Sequence, residues 1–167
     1  MHRRLFLALA LLAPLSSLTA QDAPLTVFIV RHAEKGPENP DPSLTEAGRK
    51  RADALARVLM DARVTALFAS EFKRTQETLA PLAKATGLTT MVISAGQMDA
   101  QIAALRALPP GSRAVVASHS NLVHLLVERL SGQAVPPLND LDYDRLVVVT
   151  VRGDGKGEAV ILRYGEP

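Results

Sequence analysis

The chain has 167 residues, enough for one domain with a substantial core and too few for two. It contains no cysteine, which excludes disulfides, a thiolate nucleophile, a cysteine-ligated metal and an N-terminal lipid on cysteine. The formal net charge of +2 vanishes without the first twenty residues, which hold Arg3 and Arg4 and no acid, so no overall nucleic-acid or anionic-membrane footprint remains.

Those twenty residues, MHRRLFLALALLAPLSSLTA, place two arginines before an apolar run from Leu5 to Leu15, followed by small residues and Ala20. This is the pattern of a cleaved export signal. The run is shorter than the roughly 20 apolar residues a spanning helix needs, and Pro14 sits near its end. The expectation is cleavage near Ala20, a domain over residues 21–167 in the periplasm or outside the cell, and no stable membrane insertion afterwards. Arg-Arg-Leu-Phe-Leu resembles a twin-arginine signal, and its leucine content suits the general secretory route equally well.

Extended and helical patterns then alternate. Thr26 to Val30 is a short apolar run, predicted as a strand buried on both faces. Gly36, Pro37, Pro40 and Pro42 mark a loop. Thr45 caps the next helix, whose expected core face is Ala47, Ala52, Leu55, Val58 and Leu59. Val64 to Ala69 reads as strand, and "RTQETLAPLAKATG" as a helix interrupted or kinked at Pro81 and stopped at Gly87. A strand at Thr90 to Ile93, a helix from Asp99 to Leu108 and a strand at Ala114 to Ala117 follow. "NLVHLLVERL" reads as a helix packing Leu122, Leu125, Leu126 and Leu130 on the sheet, and "RLVVVTV" and "AVILRY" as two strands about the turn "GDGKG". Such alternation predicts an α/β fold, a single open, mostly parallel sheet with helices on both faces.

In open α/β sheets ligands bind beyond the carboxyl ends of the strands. Arg31 and His32 follow the first strand, Arg74 follows the second, and His119 follows Ala114 to Ala117. Basic groups gathered at one rim repel one another unless an anion lies between them, and a phosphoryl group suits arginine forks best. Arg74 and Asn121 also stand near helix starts, whose free N–H groups favour phosphate. His32, leaving a buried strand, is the nucleophile candidate, with His119 as an electrophilic partner. Transfer of this kind needs chiefly positioning and charge stabilisation, and no metal or other cofactor is expected.

"RHAEK", "LTEAGRKRADALA", "SEFKRTQETLAPLA" and "SHSN" together resemble the histidine phosphatase superfamily, in matching order over residues 25–164. The resemblance implies a phosphoglycerate-mutase-like fold, a phosphohistidine intermediate on His32, and roles in the site for Arg31, Arg74 and His119. It implies a histidine acid phosphatase-type ester hydrolase, acting on a phosphorylated small molecule or a phosphohistidine. Ala33 and Ser118 stand where the family often has glycine. The family's acid, usually a glutamate after the second arginine, has no evident counterpart, and Asp99 is the one acid in "SAGQMDAQ" and thus the candidate. Glu34 and Glu71 flank the motifs as substitute acids or as partners of Arg31 or Arg74; Glu34, Ser120 and Asn121 are the substrate-binding candidates.

Several other readings fit parts of the pattern. Arg31 and His32 alone could be a strand end salt-bridged to Glu34. A metal site of His32, Glu34, His119 and His124 would face repulsion from two arginines. "DLDYD" at 140–144 lacks the glycine and distal glutamate of a calcium loop and is better read as a polar lead-in to a strand. Ser118 and Ser120 lack a nucleophile elbow. His124, four residues before Glu128, suits a polar helix side. A phosphomutase and a phosphate-binding module remain the functional rivals.

Overall fold

The computed structural model describes residues 23–38 and 40–166; the expected export signal lies outside them. No helix among the described residues is long and apolar enough to cross a membrane. The elements run β1 (Leu25–Arg31), α1 (Glu46–Leu59), β2 (Ala66–Ala69), α2 (Lys73–Thr86), β3 (Thr90–Val92), α3 (Met98–Arg106), β4 (Arg113–Ser118), α4 (Ser120–Ser131), β5 (Arg145–Val151) and β6 (Gly157–Arg163).

They form one six-stranded sheet in the order β3-β2-β4-β1-β5-β6. β3, β2, β4 and β1 are parallel, and β5 runs antiparallel between β1 and β6. β1 therefore lies inside the sheet, and Val27, Ile29 and Val30 are fully buried, as a continuous apolar strand should be. Alternate residues face opposite helix pairs. Val27, Ile29, Val116 and Val149 pack with Leu105 of α3 and Leu126 of α4. Val30, Leu67, Val115 and Ala117 pack with Leu55 of α1 and Leu79 of α2. Burial on both faces holds the strands in register, because a slip of one residue would exchange the two cores.

That register sets the site. Arg31 lies opposite Ser118, and Ala69 opposite Ala117, so β1, β2 and β4 end level at one edge. The chain leaves them at His32, Ser70 and His119.

Two expectations about helix faces and one about helix continuity need correction. On α1, Ala47 and Val58 point outward, and the inward face is Gly48, Arg51, Ala52, Leu55, Ala56 and Leu59. Gly48 packs on the Glu34 backbone and Arg51 pairs with the Glu34 side chain, so polar contacts took positions that apolar spacing had assigned elsewhere. On α2, Pro81 does not interrupt the helix, which continues to Thr86 with Leu79 and Leu82 fully buried on either side; Gly87, at φ +71°, ends it as expected. On α4, Leu125 is exposed, and Val123 and Val127 pack inward with Leu126 and Leu130.

Candidate active site

His32 is fixed from both sides. Its backbone N–H donates to the Ser118 carbonyl at 2.8 Å, continuing the sheet one residue past β1. Its Nδ1 lies 2.8 Å from the Ala33 carbonyl oxygen. A carbonyl only accepts, so Nδ1 carries the proton and the lone pair of the neutral ring sits on Nε2. Burial lowers the His32 pKa from 6.5 to about 3; the Ala33 carbonyl opposes this, and His119, Arg31 and Arg74 add to it. The ring is neutral near pH 7, the state a nitrogen nucleophile requires.

Arg31 is buried and held by the segment before β5. Its Nη1 donates to the carbonyls of Asn139 at 3.1 Å and Asp140 at 2.9 Å, and Nη2 to the Tyr143 hydroxyl at 3.2 Å. The guanidinium lies 4.0 Å from the centre of the Tyr143 ring, which is 6.2 Å from the ring of His32. Arg74, in the first turn of α2, lies 4.2 Å from the centre of the Phe72 ring and 3.8 Å from the Asp41 carboxylate. The Nε atoms of both arginines are buried without an acceptor among the described residues. Two unmatched cationic donors are costly to bury and suited to an incoming anion.

His119 faces His32 edge-on, with ring centres 5.5 Å apart. Its Nε2 pairs with Ser70 Oγ at 2.9 Å, and Ser70 pairs with Thr75 Oγ1 at 3.0 Å. Burial, then Arg74, lowers the His119 pKa from 6.5 to about 4, with Glu71 opposing. α4 begins at the next residue, with neither a side-chain cap nor an acid in its first turn. Its free N–H groups and positive end therefore add to the anion-attracting field.

Arg74 and His119 border a cleft of about 420 Å³, whose other walls are Phe72, Ala95, Gly96, Asn121 and Leu122. Of the substrate-binding candidates, Asn121 lines this cleft and Ser120 opens α4 beside it. Glu34 turns away from Arg31: its carboxylate takes Arg51 Nε at 2.8 Å and Nη2 at 2.7 Å, and Arg51 also donates to the Tyr164 carbonyl. It braces the turn after His32 instead of reaching the cleft. Asp99 also lies outside the group, its carboxylate 86% exposed and paired with Arg129 at 2.6 Å across α3 and α4. Two of the three acids of "DLDYD" are taken by arginines, Asp142 by Arg145 and Asp144 by Arg163. No group of three or more His, Asp and Glu side chains forms a metal-holding cluster among the described residues.

Sequence reasoning missed Tyr143, Asp41 and Thr78. Thr78 joins the two halves of the site, accepting from the Ala33 N–H at 2.9 Å and donating to the Arg74 carbonyl at 2.6 Å. A second depression of about 230 Å³ at the other end of the sheet, bordered by Leu25, Pro109 and Arg152, has no histidine or carboxylate in its walls.

The family model of the histidine phosphatase superfamily, branch 1, matches residues 27–96, the segment that holds Arg31, His32 and Arg74. Over that segment the chain is similar to the histidine phosphatase superfamily. No curated protein sequence matches it. Among solved structures it is similar to the protein histidine phosphatase SixA complexed with tungstate, at 24% identity and a TM-score of 0.71, covering 83% of this chain and 96% of that one. It is also similar to a mycobacterial glucosyl-3-phosphoglycerate phosphatase in complex with VO3, at 16% identity and a TM-score of 0.66, covering 84% and 99%. These likenesses establish the phosphoglycerate-mutase-like fold, an α/β sandwich on a single mixed sheet.

Proposed function

We propose that this protein is a phosphatase of the histidine phosphatase superfamily that transfers a phosphoryl group to His32 and then to water. The observation that carries the reading is a neutral His32 with Nε2 unprotonated, in company with Arg31 and Arg74, whose buried Nε donors lack acceptors. In the first step Nε2 attacks phosphorus, the Nε2–P bond forms, and the bond to the leaving group breaks with its electron pair. Arg31, Arg74 and His119 stabilise the charge on the transferred oxygens. In the second step water attacks phospho-His32, orthophosphate departs, and the imidazole is restored.

The leaving group decides which substrates suit this site. An alkoxide needs a proton as it departs, and the three candidate acids are engaged, Asp99 by Arg129, Glu34 by Arg51 and Glu71 by the Ala95 N–H and the Ser94 hydroxyl. A phosphorylated imidazole already protonated on its other nitrogen leaves as neutral imidazole and needs no acid. Phosphohistidine or another substrate with a good leaving group is therefore the favoured class, and the SixA likeness points the same way. The basic-apolar first twenty residues support action outside the cytoplasm.

Hydrolysis of p-nitrophenyl phosphate in EDTA, with acid-quench trapping of the phosphorylated protein, tests the reading. Turnover and trapped phosphate both vanish in His32→Ala if it holds. Turnover that survives His32→Ala overturns it.

A further inference from the structure

Two carboxylates outside the cationic floor have no place in the mechanism above. Asp41, in the loop before α1, accepts the Lys73 N–H at 3.0 Å and stands 3.8 Å from Arg74 Nη1. Its loop is pinned to α2 by Glu77, which accepts from Ser43 Oγ and from the Leu44 N–H. Glu71, on the turn after β2, accepts from the Ala95 N–H at 2.8 Å and from Ser94 Oγ at 2.9 Å. Ala95 is part of the cleft wall, and Glu71 lies close enough for its charge to act on His119. Both carboxylates are thus held in place by backbone N–H groups, Asp41 beside Arg74 and Glu71 beside Ala95, two residues of the cleft wall. Beyond Arg74 and the neutral His119, the cleft walls carry no lysine or further arginine. The buried, acceptor-free Nε of Arg31 and of Arg74 are suited to an incoming anion.

We propose that Asp41 and Glu71 make this cleft selective for a phosphoryl group borne by a neutral or cationic carrier, such as a protonated N-phosphoryl imidazole or amine, and exclude one with a second anion beside it. The inference rests on the phosphatase reading and narrows its substrate class. Coulomb's law gives the reason. A second anion near the cleft meets two fixed negative charges and no lysine or further arginine in the cleft walls, whereas a cationic carrier is attracted by both. In the favoured case the Nε2–P bond forms at His32, the P–N bond breaks, and its electron pair stays on the departing nitrogen, which leaves neutral because the proton is already on the carrier. A phosphomutase acting on phosphoacids or bisphosphates has the opposite requirement.

The test uses two alkyl phosphates of similar size as competitive inhibitors of p-nitrophenyl phosphate hydrolysis, phosphoethanolamine with an ammonium and phosphoglycolate with a carboxylate. The wild-type protein binds the first about tenfold more tightly than the second at low ionic strength, and the ratio collapses towards one at high salt. In Asp41→Asn with Glu71→Gln, which keep their oxygen acceptors, the ratio falls to about twofold even at low salt. A wild-type ratio near one, or a ratio unchanged in the double variant, overturns the proposal while leaving the phosphatase reading intact. Absence of hydrolysis together with absence of orthophosphate binding overturns the phosphatase reading, and this one with it.

Discussion

Thr78 and Ala33, 45 residues apart, are joined by a 2.9 Å hydrogen bond from the Ala33 N–H to the Thr78 hydroxyl, both groups fully buried. The same hydroxyl donates to the Arg74 carbonyl, and the Ala33 carbonyl orients His32. One side chain thereby sets the nucleophile and the second arginine relative to each other. Thr78→Val keeps the shape and strands a buried N–H, which costs about 1–3 kcal/mol of stability. Misplacement of His32 should lower kcat about tenfold or more, while Thr78→Ser retains most of the rate. Equal kcat for the valine and serine variants would show that the bond positions nothing.

The two histidines give the protein an acid-sensitive stability. Below pH 6.5 the unfolded chain protonates both, whereas the folded chain keeps His119 neutral to about 4 and His32 neutral to about 3. Their contribution is complete above pH 6.5 and is lost as the pH falls through that window, with a slope of at most about 1.4 kcal/mol per pH unit for each ring. Thermal unfolding from pH 7 to pH 4 should show the decline, and a saturating oxyanion such as tungstate should flatten it by favouring the charged rings in the folded state. A midpoint independent of pH in the absence of the oxyanion contradicts the assignment.

Gly48 offers a sharper structural test. Alanine inside a helix ordinarily stabilises by about 1 kcal/mol relative to glycine. At this position a Cβ would stand 2.2 Å from the Glu34 carbonyl oxygen, a backbone atom that cannot move without displacing the turn after His32. Gly48→Ala should therefore destabilise by about 2 kcal/mol and reduce turnover as well. A stabilised, fully active variant would mean that the turn yields freely.

Asp99→Asn should leave kcat/KM for an aryl phosphate and for a phosphohistidine peptide within about twofold of wild type, since an exposed pair with Arg129 is worth little. A selective loss on alkyl phosphates, measured side by side with the aryl substrate, would restore Asp99 as the acid.

How much of this was legible in the sequence follows from how each group reaches the site. Arg31, His32 and His119 leave strands directly and Arg74 starts a helix, so alternation of strand and helix patterns alone put them at one edge. The Glu34–Arg51 pair was hidden because apolar spacing on α1 offered Ala47 and Val58, while the inward face used Gly48 and Arg51 for polar contacts. Asp99 was misplaced because its partner, Arg129, is on another helix and nothing in spacing reveals that neighbour. The hold on Arg31 comes from over 100 residues away and largely through backbone carbonyls, which carry no residue-type signal at all.

That hold leads to the last prediction. Arg31 spends Nη1 on two carbonyls and one Nη2 hydrogen on Tyr143, which leaves Nε–H and the second Nη2 hydrogen, the side-on fork, for a phosphoryl group. Tyr143→Phe keeps the ring under the guanidinium and removes only the hydroxyl that fixes the fork's angle. Tungstate inhibition should weaken about three- to tenfold, with little change in melting temperature, because the buried stacking and both carbonyl bonds persist. Tyr143→Leu should lose both affinity and stability, since the cation–π contact goes too. If Tyr143→Phe leaves tungstate inhibition unchanged, the two carbonyls alone fix Arg31 and the hydroxyl is incidental.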